Sequence, residues 1–448
     1  MKTTILTLLS LITLSIFSQH QIGHYQITFQ DPDRSNRAIQ TEIYYPATSS
    51  GDNTPVTNGQ FPVIVFGHGF VMAWDAYQNL WEKFVPNGYI MVFPRTEGNA
   101  FSTDHQQFGW DLEYLVTQIQ SEGLNASSPI NGAVANNTAL MGHSMGGGAT
   151  FLAADSLCNN GNTQLKTLIG LAPAESTSNG VSSINSALSI TVPSLILSGS
   201  QDGVTPPADH HIPMYDNLAS NCKTFVNITG GAHCYFANTN AACDFGESSS
   251  SSGISITRLQ QHDITFSFVN NWLDYTLKSS CTSFQAFQDS VNSSPRVSTN
   301  QTCASNAMAS INVSGSTLTS SVSGTGYQWF LDGNAISGAN NITHNALVDG
   351  DYTVEVTFTS GCPTTSLPYT FTNGSIGVYE NSQLGIKIYP NPTTGILSLS
   401  KNANFKLYNL SGELLKTYFE TNQIDISNLP NGVYLIRHND SYQKIVKM

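Results

Sequence analysis

The stretch Ala139-Leu140-Met141-Gly142-His143-Ser144-Met145-Gly146-Gly147-Gly148 runs from apolar residues into Gly-His-Ser-Met-Gly and on into the helix-compatible Ala149 to Asp155. That order predicts a strand, a sharp turn and a helix, with a serine at the turn. Strand and helix then approach too closely for Cβ atoms two residues before and two after the serine. Gly142 and Gly146 occupy those two places. The Ser144 hydroxyl is expected to project above a sheet. The Met145 N–H, at the start of the helix, is expected to point at developing negative charge.

Such a turn needs a sheet around it. Val63-Ile64-Val65-Phe66 is a continuous apolar run of the kind buried on both faces of a parallel sheet. Tyr89 to Phe93, Ala139 to Met141, Thr167 to Leu171 and Ser194 to Leu197 are similar, and Thr224 to Ile228 is a more polar last strand. Between them lie helix-period segments such as Phe108, Leu112, Leu115 and Ile119. Tyr25 to Phe29 and Ala38 to Tyr45, separated by Asp31-Pro32-Asp33, are expected to open the sheet as an antiparallel pair. Strands alternating with helices predict a doubly wound, mostly parallel α/β sheet, closed near residue 285 by the amphipathic Leu259 to Leu277.

A serine hydroxyl is a poor nucleophile at neutral pH, so Ser144 needs a histidine base and a carboxylate to orient it. Asp202 follows the strand Leu195 to Leu197, and His233 follows the strand ending at Ile228. Both loops therefore leave the C-terminal edge of the sheet, where folds of this kind bind ligands. A second donor for an oxyanion is expected from Gly67-His68-Gly69-Phe70, where two glycines let the Phe70 N–H face Ser144, with His68 as structural support. Adjacent His210 and His211, without two further ligands, are expected to be surface residues rather than a metal site. No metal or cofactor is expected.

Met1-Lys2, an apolar run from Ile5 to Phe17 and Ser18-Gln19 match a secretory signal peptide over residues 1–18. The run is too short to span a bilayer, and no integral membrane segment is expected later. The seven cysteines are thus expected in an oxidising compartment, where an odd number leaves at least one thiol over. The net charge is −13, yet from Leu384 onward seven Lys and Arg face four Asp and Glu, leaving ten against 26 before that point. So acidic a body argues against a nucleic-acid partner, because phosphate binding needs clustered Lys and Arg.

After a catalytic domain at 19–285, a Ser-, Thr- and Asn-rich linker is expected at 286–300. Short alternating runs in 301–373, including Tyr327-Gln328-Trp329-Phe330 and Asp351-Tyr352-Thr353-Val354-Glu355-Val356, resemble an immunoglobulin-like β-sandwich. Tyr352 would stand in a tyrosine-corner-like position there, with Cys303–Cys362 as a candidate bridge. The pairing of Cys158, Cys222, Cys234, Cys243 and Cys281 stays open. In 374–448, Ile388-Tyr389-Pro390-Asn391-Pro392-Thr393-Thr394-Gly395, Leu407-Tyr408-Asn409-Leu410-Ser411-Gly412, Leu429-Pro430-Asn431-Gly432-Val433-Tyr434-Leu435 and the basic end Lys444 to Lys447 closely resemble the β-rich C-terminal sorting domain of type IX secretion cargo. That resemblance implies type IX machinery as a partner and a secreted or cell-surface location.

Residues 24–278 resemble the secreted α/β-hydrolases that include polyester hydrolases (the PET hydrolase and bacterial cutinase group), platelet-activating-factor acetylhydrolases and dienelactone-hydrolase-like esterases. The resemblance rests on Arg37-Ala38-Ile39-Gln40-Thr41-Glu42-Ile43-Tyr44-Tyr45-Pro46, Ser127-Ser128-Pro129-Ile130-Asn131-Gly132, Met141 to Gly148, and Pro213-Met214-Tyr215-Asp216. It implies a catalytic triad of Ser144, Asp202 and His233, an oxyanion hole at Phe70 and Met145, and an ester substrate. The chain departs from the polyester hydrolases where Ala174-Glu175 follow Ala172-Pro173 in place of a clamp tryptophan, and where His143 replaces the usual tryptophan before the nucleophile. Glu175 and His143 are accordingly expected to line the substrate site. The disulfide between acid and base loops is not reproduced, although Cys234 and Cys243 would brace the histidine loop. Two functions follow: a secreted serine ester hydrolase acting on short-chain esters or polyester, or a surface adhesin whose hydrolase fold no longer catalyses.

Overall fold

A computed structural model describes residues 19–303, 308–372, 386–410, 412–438 and 441–448. The expected signal peptide lies outside the described residues. The main sheet has ten strands: β1 (Gln21–Asp31), β2 (Arg37–Ala47), β3 (Gly51–Asp52), β4 (Phe61–Gly67), β5 (Ile90–Pro94), β6 (Val134–His143), β7 (Leu165–Leu171), β8 (Ser194–Gly199), β9 (Lys223–Ile228) and β10 (Val297–Gln301). Their order in space is β10-β9-β8-β7-β6-β4-β5-β2-β1-β3. Strands β4 to β9 run parallel, whereas β2 is antiparallel to β5 and to β1, β10 is antiparallel to β9, and the short β3 joins β1 in parallel.

The continuous apolar strands are explained by burial on both faces. Val63 and Val65 of β4 enter one core, and Ile64 and Phe66 enter the other. Because side chains alternate along a strand, a half-polar sequence would have left charge in one of those cores. Helices α1 (Gln78–Phe84), α2 (His105–Leu124), α3 (Met145–Asn159), α4 (Ser183–Ser186), α5 (His211–Asn217), α6 (Ala241–Ser250), α7 (Arg258–Lys278) and α8 (Cys281–Ser293) complete the α/β-hydrolase architecture. The α2 residues Phe108, Leu112, Leu115 and Ile119 are fully buried against the first core. Each such side chain contributes about 1.5–3 kcal/mol through removal from water. On the other face, Ile264, Phe268, Trp272 and Leu273 of α7 pack into the second core.

The stretch expected as a linker differs. Residues 286–300 supply most of α8 and of β10, which pairs with β9 from Val297↔Ile228 to Gln301↔Thr224. The polar composition misleads because α8 keeps only Phe284, Phe287 and Gln288 inside, and because an edge strand has one free side. The expected Cys303–Cys362 bridge is also replaced. The disulfides are Cys222–Cys303, Cys234–Cys243 and Cys281–Cys362, and Cys158 is free. Cys303 directly follows β10 and so lies beside Cys222 at the start of β9, which settles its partner.

Beyond β10, residues 308–372 form eight short strands in a three-stranded and a five-stranded sheet, as expected of a small β-sandwich. The Tyr352 hydroxyl donates to the Val348 carbonyl at 3.0 Å, the back-bond expected of a tyrosine corner. A further five-stranded sheet begins at Ile388–Tyr389 and ends at Ser441–Lys447. It is built on Leu397, Leu399, Phe405, Leu407, Ile424, Ile436 and Ile445.

Candidate active site

Ser144 sits between β6 and α3 with φ 55° and ψ −122°, a backbone conformation that a side chain adopts only when its surroundings impose it. The close approach is visible on both sides of the turn. A Cβ on Gly146 would lie 2.1 Å from the Gly67 carbonyl carbon, and one on Gly142 would lie 2.4 Å from the Gly146 carbonyl oxygen. Strain is concentrated at this edge of the sheet: Val71 (φ 55°), Glu97 (φ 60°), Ser144 and Ala172 (φ 44°) follow β4, β5, β6 and β7, which are neighbours in the sheet.

The three residues expected to act together do meet. Ser144 Oγ lies 2.9 Å from His233 Nε2, and His233 Nδ1 lies 2.7 Å from Asp202 Oδ2. All three are buried, with Ser144 retaining 8% exposure. Asp202 Oδ1 accepts the amides of Val204 at 2.9 Å and Thr205 at 2.8 Å. Burial works against the Asp202 charge, but His233, His211 and the Thr205 amide outweigh it and hold the carboxyl below its usual value.

The base loop is held from three sides. Glu247 of α6 accepts the His233 amide at 2.6 Å and the Cys234 amide at 2.9 Å. Gln261 of α7 accepts the Ala232 amide and donates to the Ala232 carbonyl, both at 2.8 Å. The Cys234–Cys243 disulfide ties the loop to α6, which is the brace expected of those two cysteines. Glu247 and Gln261 carry no local sequence signal, because each reaches its loop through the fold.

Met145 directly follows Ser144, and Phe70 lies in the loop after β4. Met145 is the first residue of α3, whose opening amides lack intrahelical acceptors. Phe70 lies in the turn closed by the Met72 amide on the Gly69 carbonyl, and its ring is half exposed. His68 in that loop is buried, as support requires.

Two expected substrate contacts fall elsewhere. His143 is wholly buried, with Nδ1 2.8 Å from the Tyr77 hydroxyl and Nε2 3.0 Å from the His233 carbonyl. As the last residue of β6 it points into the core under the site, not into the cleft. Burial and the neighbouring His233 keep its imidazole well below the usual value, hence neutral. Glu175 is half-buried, and its carboxylate accepts Ser182 Oγ at 2.6 Å and the Ile184 amide at 2.8 Å. Both oxygens are thus occupied in fastening the chain ahead of α5. The expectation for the paired histidines is also corrected: His210 accepts the Glu175 amide at 2.9 Å, and His211 is wholly buried beside Asp202. A position at the start of α5, under the acid loop, explains why a residue that looks superficial in sequence is not so.

Residues 387–448 match the secretion-system C-terminal sorting domain, so the chain is a secreted or cell-surface protein. Cutinase est1 of Thermobifida alba is 26% identical over 195 residues, 43% of this chain and 56% of that protein. A cutinase of Thermobifida fusca is equally similar over the same shares. The bis(hydroxyethyl) terephthalate hydrolase of Streptomyces coelicolor is 25% identical over 194 residues, 43% of this chain and 54% of that one. The chain therefore spans about half the length of the curated relatives it matches. With the family described as PET hydrolase-like matching residues 19–258, more than half of the sequence and every element that carries the serine, acid and base loops, the chain belongs to that family.

Proposed function

We propose that this protein is a secreted serine ester hydrolase that forms an acyl-enzyme on Ser144 and acts on short-chain esters and polyester. The continuous hydrogen-bonded line from Ser144 Oγ through His233 to Asp202 carries this reading. As Ser144 Oγ attacks the ester carbonyl, its proton passes to His233 Nε2, and Asp202 stabilises the imidazolium through Nδ1–H. The amides of Met145 and Phe70 receive the oxyanion. His233 then protonates the leaving alcohol, takes a proton from the water that attacks the acyl carbonyl, and returns it to Ser144 Oγ as the bond to the acyl group breaks and the acid leaves. These steps call for no cofactor.

The names of the relatives supply the substrate side of the proposal, since cutinases and a terephthalate-ester hydrolase are carboxylic-ester hydrolases. Residues 172–193, between β7 and β8, hold only α4 and two single 3-10 turns, too little for a covering lid. An open site suits both small esters and chain ends of a polymer. In this reading the catalytic domain starts at residue 19 and reaches β10 rather than ending at 285. The sandwich follows it, and the sorting domain engages the type IX machinery.

Labelling with a fluorophosphonate probe tests the assignment. Modification at Ser144, and a fall in turnover of p-nitrophenyl esters of about 10⁴-fold or more in Ser144→Ala, is the expected result. Unlabelled Ser144 in a chain without ester turnover would return it to a binding role, and activity retained above about a hundredth in Ser144→Ala would move the nucleophile elsewhere. A series of p-nitrophenyl esters beside amorphous polyester film then ranks the substrates.

A further inference from the structure

Thr205 and His211 are buried polar residues that the triad chemistry does not use. The Thr205 hydroxyl lies 3.0 Å from Asp202 Oδ2, 2.9 Å from His233 Nδ1 and 3.1 Å from His211 Nε2. The Ala172 carbonyl is farther, at 3.4 Å. On its other side, His211 Nδ1 is 2.8 Å from Ser198 Oγ. Ser198 belongs to β8, Thr205 to the acid loop and His211 to α5, so three elements converge behind the acid.

Counting donors decides the direction of these bonds. A hydroxyl has one proton and two lone pairs, while an ionised carboxylate can only accept. If Thr205 gave its proton to His211, oxygen lone pairs of Thr205 and Asp202 would face one another at 3.0 Å in a buried site. The Thr205 hydroxyl therefore donates to Asp202 Oδ2. Its lone pairs are left for His211 Nε2–H and for a share of His233 Nδ1–H. Ser198 accordingly donates to His211 Nδ1.

We propose that Thr205 and His211 are a positioning pair for the acid and base. Ser198, His211 and Thr205 form a one-directional hydrogen-bond chain that ends on Asp202 Oδ2. The proposal rests on the triad reading above. Asp202 then receives four protein donors, the Val204 and Thr205 amides on Oδ1, and the Thr205 hydroxyl and His233 Nδ1–H on Oδ2. The carboxylate has no freedom to turn when His233 becomes an imidazolium. By sharing Oδ2, Thr205 also weakens the pull of the carboxylate on that imidazolium. Burial pushes the His211 imidazole down to about 3, which keeps it neutral in its donor role. The remaining titratable or charged groups around the pair are His143 against the His233 ring, Glu247 on the His233 amide, Arg258 on the Cys234 carbonyl, and His210.

The test compares Thr205→Val, Thr205→Ser, His211→Leu, His211→Gln and the double variant Thr205→Val/His211→Leu in the full chain. For a p-nitrophenyl ester, Thr205→Val and His211→Leu should each lower kcat about tenfold with little change in KM. Both should move the acid limb of kcat/KM upward by about half a pH unit. Thr205→Ser, which keeps the hydroxyl, and His211→Gln, whose amide reaches the place of Nε2, should recover most of the loss. The double variant should be no worse than the worse single, because the two residues act as one unit. An acid limb that stays in place, or losses that add, overturns the proposal. Should Thr205→Val fail to fold, the contrast between His211→Gln and His211→Leu decides. Ser144→Ala keeps the two readings apart: if it remains active the triad assignment fails, and if it is dead while the acid limb never moves only the positioning pair fails.

Discussion

The Tyr77 hydroxyl and His143 Nδ1 share a hydrogen bond of 2.8 Å, and through it the loop after β4 is joined to the loop that carries His233. Tyr77 accepts the Gly69 amide at 2.8 Å, and His143 Nε2 meets the His233 carbonyl at 3.0 Å. The proton assignment follows from the ends: a carbonyl must accept, so His143 carries its proton on Nε2 and Tyr77 donates to Nδ1. Both residues are fully buried, so water cannot replace a lost partner. Tyr77→Phe leaves the Gly69 amide and His143 Nδ1 unpaired. The expected outcome is a loss of about 1–3 kcal/mol in unfolding free energy. Turnover on small esters should fall as well, because Phe70 stands one residue beyond Gly69. Denaturant unfolding alongside ester kinetics checks both, and a variant as stable as the parent would show that the link carries no strain between the loops.

Acid should destabilise this protein from an unusually high pH. His143 is held well below the usual imidazole value and His211 is pushed down to about 3, both chiefly by burial. In the unfolded chain each takes a proton near pH 6.5. Between the two values the unfolded state binds more protons, so this stability is fully present above about pH 6.5 and is lost as pH falls. Two such histidines give a slope of about 3 kcal/mol per pH unit below about pH 6. Asp202, held below its usual value, adds its own loss only below about pH 4. Urea unfolding from pH 8 to pH 5 should show the slope, and His211→Gln should lower it by about 1.4 kcal/mol per pH unit. Equal slopes in parent and variant would mean that His211 is already protonated in the folded state.

Glu175 was expected to face a substrate, and its hydrogen bonds instead predict a structural cost. Ser182 Oγ and the Ile184 amide occupy both carboxylate oxygens, anchoring the chain around α4. Glu175→Trp should lower stability by about 1–2 kcal/mol, moderated by partial exposure. The ratio of aromatic polyester to p-nitrophenyl acetate hydrolysis should stay unchanged, since the segment is loosened without a ring being placed over Ser144. A selective gain on the aromatic polymer would restore Glu175 to the substrate cleft.

The serine turn was legible from the spacing of its glycines: Gly142 is demanded by the Gly146 carbonyl within the turn itself, and Gly146 by the Gly67 backbone of the adjacent β4. The apolar strands were legible for a similar reason, since burial on both faces removes polar residues from every position. Asp202 and His233 could be placed because each follows its strand directly. What escaped depends on distant partners. Thr205, His211, Glu247 and Gln261 are ordinary polar residues until β8, α5, α6 and α7 bring them to the acid and base loops. For His143, a position next to Ser144 says nothing about which side of the strand the ring leaves, and it leaves toward the core. The β10 strand was hidden by composition, as Val297-Ser298-Thr299-Asn300-Gln301 is polar enough for a linker and becomes a strand only because β9 offers an edge.

That edge strand decides where the catalytic domain can be cut. A truncation near residue 290 follows the polar composition, yet it removes β10 and Cys303. The outer edge of β9 would then be open from Thr224 to Ile228, a template for pairing with other chains. The Cys222–Cys303 bond would also be lost, and a crosslink spanning 81 residues contributes about 4–5 kcal/mol in the chain-entropy account. Since His233 follows the end of β9 by five residues, looseness in that strand reaches the base. A chain ending at 310 keeps β10 and this disulfide, losing the partner of Cys281 and the Ser360 carbonyl that accepts the Tyr275 hydroxyl. The shorter form should therefore melt lower, aggregate more readily and hydrolyse small esters more slowly than the longer one. Thermal melts, light scattering and p-nitrophenyl ester turnover compare them directly, and a 290 form equal to the 310 form in all three would show that β10 is dispensable to the sheet.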